Sequence, residues 1–230
     1  MADETKSVPE PKPTPKRRAA QNRQMEADVI AGEILINALK AEQEVQAELE
    51  EGGYGTAELT RATAVQKTAW STFVIQGQAE GAQTAATRLM RTAERSVWTS
   101  YRLLRGLGKS AFMKDPDGRR QLRLDGGEPV GLKNLIGAAR ALADSGSQPE
   151  FAAKLAKKGV TAAKLAALNS KVDALVAADQ AQEAAKVAAP KARKQRDADA
   201  QELFDWVAEF KMFAKNQFKD RPDVLKRWGI

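Results

Sequence analysis

The chain has 230 residues, 43% apolar and 29% charged, and 37 Lys and Arg stand against 30 Asp and Glu for a formal net charge of +7. It contains no cysteine and no histidine, which excludes disulfides and thiolate metal sites and removes both the commonest metal ligand and the commonest neutral-pH general base. A hydrolase or metalloenzyme would be left with carboxylates, Lys and Ser/Thr, so the composition points to a non-enzymatic protein with no metal, cofactor or small-molecule substrate.

Aromatic residues make up only 6% of the chain, and alanine is abundant. That mixture suits long helices packed side by side. The first 20 residues are charged and proline-rich, unlike a secretory leader. The longest uncharged stretch beside an apolar segment, Thr68 to Ala79, has 12 residues, where a membrane span needs about 20. The expectation is a cytoplasmic protein without a transmembrane segment.

Residues 1–22 hold four of the nine prolines and little to bury. They read as a disordered Pro/Lys/Arg-rich tail, with Pro15-Lys16-Arg17-Arg18 a solvated basic cluster. From Gln24 the pattern turns helical. Val29, Ile30, Glu33, Ile34, Asn37 and Ala41 recur at helical spacing, and Val45 and Leu49 extend the stripe to Glu51-Gly52-Gly53. Glycine can close a helix there in the left-handed conformation. Thr56 is a candidate N-cap for the next helix. Glu33 and Asn37, set among apolar neighbours, suggest the start of an inward-facing polar site.

A long helical run is expected over about 56–113, with Gly77 and Gly81 as weak points near its middle. Its second half, Thr84 to Lys114, has a counterpart 106 positions on, Pro190 to Asp220. Without a gap, Val97 falls on Leu203, Leu104 on Phe210, Phe112 on Phe218, Pro116 on Pro222 and Leu122 on Trp228. Upstream, Leu49 falls on Leu155, Gly53 on Gly159 and Leu59 on Leu165. The spacing reads as an internal duplication of a helix–turn–long helix unit. The units would be 23–124 and 130–230, joined by a Gly-rich linker at 125–129.

The second unit breaks at Asp144-Ser145-Gly146-Ser147-Gln148-Pro149, where the first runs on, and Pro149 can open a helix at its first turn. Its long run spans about 162–219 and carries Pro190, which is expected to kink the helix rather than make a hairpin. Each long run exposes an apolar stripe that cannot close a core alone. The fold class is therefore all-α, an elongated helical bundle in which the two units pack together with pseudo-two-fold symmetry. Trp228-Gly229-Ile230 is expected to fold back onto it, and the four tryptophans read as packing residues.

Arg88, Arg95, Arg102 and Lys109 recur every seven residues, with Arg91 and Arg105 three places after two of them. At 100° per residue the seven-step set lies about 160° from the Met90, Val97, Leu104 stripe. From Arg88 to Arg123 there are ten basic and three acidic residues. The six cations form a candidate partner-binding basic face for a protein partner or self-association. Nucleic acid met through phosphates is the alternative. The bland counter-reading is a solvated face answered by Glu44, Glu48 and Glu50 of a neighbouring helix. Gly106-Leu107-Gly108-Lys109-Ser110 lacks the first glycine and the strand of a phosphate loop. Asp115-Pro116-Asp117-Gly118 reads as a turn rather than a calcium loop.

The stretch from about 149 to 230 contains Gly159-Val160-Thr161, Ala184-Ala185, Phe204-Asp205-Trp206 and a tail running from Asp220-Arg221-Pro222-Asp223 to Trp228-Gly229-Ile230. It resembles a group of uncharacterised bacterial all-helical proteins. The resemblance implies a helical bundle and carries no catalytic or binding residue.

Overall fold

The computed structural model describes residues 15–230, and side chains from residue 20. The tail expected at 1–22 lies outside the described residues up to position 14. From Pro15 the chain is already helical. Eight helices follow: α1 Pro15–Ala41, α2 Gln46–Glu51, α3 Thr56–Ala111, α4 Pro116–Gln121, α5 Leu132–Gly146, α6 Pro149–Ala156, α7 Ala162–Gln217 and α8 Pro222–Arg227. No strand occurs among the described residues.

The protein is all-α, and its two 56-residue helices, α3 and α7, are each unbroken. Gly77 and Gly81 sit within α3, and Pro190 lies inside α7. Proline lacks the N–H that would bond to the carbonyl four residues back, yet the helix resumes on both sides of it. Thr56 is the first residue of α3 rather than the residue before it.

The compact units do not coincide with the sequence halves. Unit 1 comprises residues up to Gly77 together with Lys191–Ile230, and unit 2 comprises Gln78–Pro190. Each takes part of α3 and part of α7, so each core draws on both sequence halves. The linker between the expected repeats, 125–129, lies inside unit 2. In unit 1 the two helix segments run antiparallel. Glu58 accepts from the Trp206 indole at 2.8 Å, while Gln76 meets Arg196 at 3.3 Å. In unit 2 the order is antiparallel again: Gln182 donates to Thr87 at 3.3 Å and Lys171 to Ser100 at 2.6 Å.

The unit 1 core joins Val29, Ile36, Leu39, Val45 and Leu49 to Leu203, Trp206, Phe210, Phe218 and Trp228. Trp228 lies 5.6 Å from Phe210 and 5.1 Å from Phe218, centroid to centroid, so the C-terminal residues do fold back. The unit 2 core joins Val97, Tyr101, Leu104 and Phe112 to Leu142, Leu155, Leu165 and Leu175. Burying each large side chain contributes roughly 1.5–3 kcal/mol. Trp70 departs from the expected packing role, being 41% exposed.

The elements of the two sequence halves match at the 106-residue spacing. α3 and α7 begin 106 residues apart and end 106 apart, as do α4 and α8. Gly53 and Gly159 both have positive φ, 83° and 78°, in the left-handed region expected of a helix-closing glycine. The first half nevertheless does not run on where the second breaks. α1 stops at Ala41, and α2 starts only at Gln46. Residues 42–45 contain no helix breaker. The turn buries Val45 completely and brings Glu42 and Glu44 to Arg227, and Glu44 also to Arg221.

Candidate functional site

Unit 2 positions the basic face. Its segment of α3 turns Val97, Tyr101 and Leu104 into the core, so residues on the opposite side face solvent. Arg88, Arg91 and Arg95 are all exposed. With Gln83, Thr84, Thr87 and Thr92 they line a groove of about 500 Å³. No carboxylate is among these lining residues. The threonine hydroxyls donate to their own helix, Thr84 to Glu80 O at 3.0 Å, Thr87 to Gln83 O at 2.9 Å and Thr92 to Arg88 O at 2.9 Å. The three guanidiniums, with five N–H donors each, therefore dominate the groove.

The other expected cations stand apart from this group. Arg102 donates to Glu128 Oε2 at 2.7 Å and its guanidinium lies 4.7 Å from the centroid of the Trp98 ring, which neutralises it locally. Lys109 is only half-exposed. Arg105 is not on the surface. It is 9% exposed, and its Nη2 donates to Gly126 O at 2.7 Å and Gly127 O at 2.9 Å. A guanidinium holding two backbone carbonyls of the linker has a structural role. A helical wheel contains the signal: Arg105 follows the buried Tyr101 by four residues, about 40° around the helix.

The acids expected to answer the face are elsewhere. Glu44 pairs with Arg221 and Arg227, and Glu48 with Arg221, all within unit 1. Other cations of unit 2 have partners: Arg119 with Asp125, Arg120 with Asp117, Arg140 with Asp173 and Lys154 with Asp115. No carboxylate among the described residues forms an ion pair with Arg88, Arg91 or Arg95. Residues 78–190 carry 18 Lys and Arg against 11 Asp and Glu, a net of +7 that equals the formal charge of the whole chain.

Two further readings meet the structure with different outcomes. Glu33 and Asn37 are exposed and share a pit of about 80 Å³ with Thr63, Gln66 and Lys67. Gln66, 7% exposed, donates to Glu33 at 3.1 Å, so the pair marks the surface rather than an interior site. Asp115 caps α4 by accepting from the Gly118 N–H at 2.9 Å, as the turn reading of that stretch requires. Lys154 and this cap hold its carboxyl below the ordinary aspartate value. Among the described residues no three Asp or Glu gather as metal ligands would, and no helix is long and apolar enough to cross a membrane.

No protein-family model, no curated protein and no solved structure matches the chain. The functional argument therefore rests on the surface of the molecule itself.

Proposed function

We propose that the protein is a non-catalytic helical interaction protein that docks an anionic partner through the Arg88, Arg91 and Arg95 face of α3. The observation that carries this reading is the contrast among arginines: these three exposed ones share one groove without a carboxylate, while Arg102, Arg119, Arg120 and Arg140 of the same unit are each paired with an acid. Unpaired guanidiniums keep their donors available for a planar anionic group, which they can grip with two parallel hydrogen bonds.

With Arg102 paired to Glu128 and Arg105 buried, the reading rests on three arginines of the six-residue face, which bears on the nucleic-acid alternative. Three phosphate contacts give a salt slope of only about −2.7 on duplex DNA, and no aromatic side chain lines the groove to stack a base. An acidic protein surface suits so short a face better.

The test is binding to immobilised poly-L-glutamate, with duplex DNA as a second surface. Arg88→Glu/Arg91→Glu/Arg95→Glu should abolish capture by poly-L-glutamate. Lys133→Glu/Lys157→Glu/Lys158→Glu, an equal charge change on exposed positions of the same unit, should retain it. Equal loss in both variants would reduce the effect to net charge and refute a specific face. Tighter binding to DNA than to poly-L-glutamate would favour the alternative.

We also infer that the two sequence halves arose by duplication, since helix bounds and buried positions repeat together. An experimental structure in which α3–α4 and α7–α8 did not match at the 106-residue spacing would overturn this.

A further inference from the structure

A triad of acids lies on α7, in unit 1. Glu202, Asp205 and Glu209 are all exposed. Their spacing is that of Arg88, Arg91 and Arg95, with steps of three and then four residues. At 1.5 Å per residue both triads place their charges about 4.5 and 10.5 Å along the axis from the first member. At 100° per residue both fit within an arc of about 60°. Laid parallel, the two helices bring three guanidiniums against three carboxylates one to one.

Neither Glu202 nor Glu209 forms an ion pair among the described residues, and Asp205 accepts only from the neutral Gln201 amide, at 2.7 Å. The nearby cation is Arg61, whose guanidinium is held at 2.7 Å by Glu58 and raised in pKa first by that contact, with smaller contributions from Glu202 and Glu209. Counting Glu58 and Arg61, the patch retains a net charge of −3. The correspondence continues past the charges. Three residues beyond each triad stand Trp98, half-buried, and Met212, 64% exposed, a pairing in which a thioether can contact an aromatic ring.

We infer that the partner of the arginine face is a second copy of this chain, docked through Glu202, Asp205 and Glu209. This rests on the proposed role of that face and narrows it to one occupant. The two surfaces differ, one on unit 2 and the other on unit 1, so the contact is heterologous. A docked pair keeps one face of each sign unfilled, and the assembly grows into a ring or an open chain. Salt weakens it, because exposed charges are screened over about 10 Å at 0.1 M and about 3 Å at 1 M.

Sedimentation velocity of the full chain tests this. At about 50 mM salt the wild type should sediment as dimers and larger species, and at about 1 M salt as a monomer. Arg88→Glu/Arg91→Glu/Arg95→Glu and Glu202→Lys/Asp205→Lys/Glu209→Lys should each be monomeric at low salt. An equimolar mixture of the two should assemble again, since every contact between unlike variants pairs opposite signs. All six side chains are exposed, so thermal melts of the variants should match the wild type and confirm that they are folded. A wild type that is monomeric at low salt, a variant that still assembles, or a mixture that does not, each overturns the inference. A monomeric wild type whose arginine variant nonetheless loses poly-L-glutamate binding would sink self-association and leave the anion-docking face standing.

Discussion

Arg196 is 3% exposed, deep in unit 1. Its Nη1 donates to Asn22 Oδ1 at 2.9 Å and Gln76 Oε1 at 3.3 Å, while Nε and Nη2 face the Asp197 carboxylate. The guanidinium also lies 5.1 Å from the Phe73 ring centroid. Arg196→Met keeps an unbranched apolar stem and removes the charge and every donor. Breaking a fully buried ion pair costs about 3–5 kcal/mol, but Asp197 is 48% exposed and can rehydrate. What remains is Gln76, 4% exposed and already carrying an unpartnered Nε2. Losing the donor to its Oε1 leaves both ends of a buried amide unmatched, a penalty of about 1–3 kcal/mol. The expected cost is about 2 kcal/mol, or about 4–8 °C in Tm for a chain of this size. Adding Gln76→Leu removes the stranded amide, so the double variant should recover most of the loss. Urea denaturation followed by tryptophan fluorescence reads this well, because Trp70, Trp206 and Trp228 belong to unit 1 and only Trp98 to unit 2. A single variant as stable as the wild type, or a double variant worse than the single, would refute the reasoning.

The same logic separates Arg105 from the binding arginines. Arg105→Ala removes two hydrogen bonds, at a net of about 0.5–1.5 kcal/mol each since the exposed Gly126 and Gly127 can rehydrate, and should cost about 1–3 kcal/mol, whereas reversing Arg88, Arg91 and Arg95 should stay within about 0.5 kcal/mol by thermal melt. Gly52→Ala should destabilise by about 1–3 kcal/mol, because a Cβ there would stand 2.2 Å from the Phe213 ring. Gly77→Ala meets nothing within 4 Å inside α3 and should raise stability by about 0.5–1 kcal/mol; a loss would mean that the site is constrained by something other than contact. The Asp115 carboxyl has a folded pKa below its unfolded value, held there first by Lys154 and then by the Gly118 N–H. The stability it supplies is therefore full above the ordinary aspartate range, around pH 4, and is lost as pH falls through the depressed value. Asp115→Asn should flatten the acid end of the stability–pH profile, measured by denaturation from neutral to acid pH; an unchanged profile would remove the contact from consideration.

The sequence alone determined the helical class, the faces that go inward and several of the stops. Val97 and Leu104 recur with Leu203 and Phe210 at helical spacing and are all buried, because periodicity is written locally along the chain. Gly53 and Gly159 end their helical segments through a backbone conformation that glycine adopts without steric cost, and Pro149 opens α6 through its fixed φ. Three matters were left to the tertiary structure. The break at 42–45 contains only residues that could continue a helix, and it follows from the burial of Val45 and from contacts with Arg221 and Arg227, which lie far along the chain. Arg105 reads as surface charge until the carbonyls of Gly126 and Gly127 come within hydrogen-bond reach. The division into units joins Glu58 to Trp206 and Gln76 to Arg196 across more than a hundred residues. Local propensity makes each helix, but only the antiparallel meeting of distant apolar stripes decides which segments share a core, since that choice minimises exposed apolar surface over the whole chain rather than within any window of it.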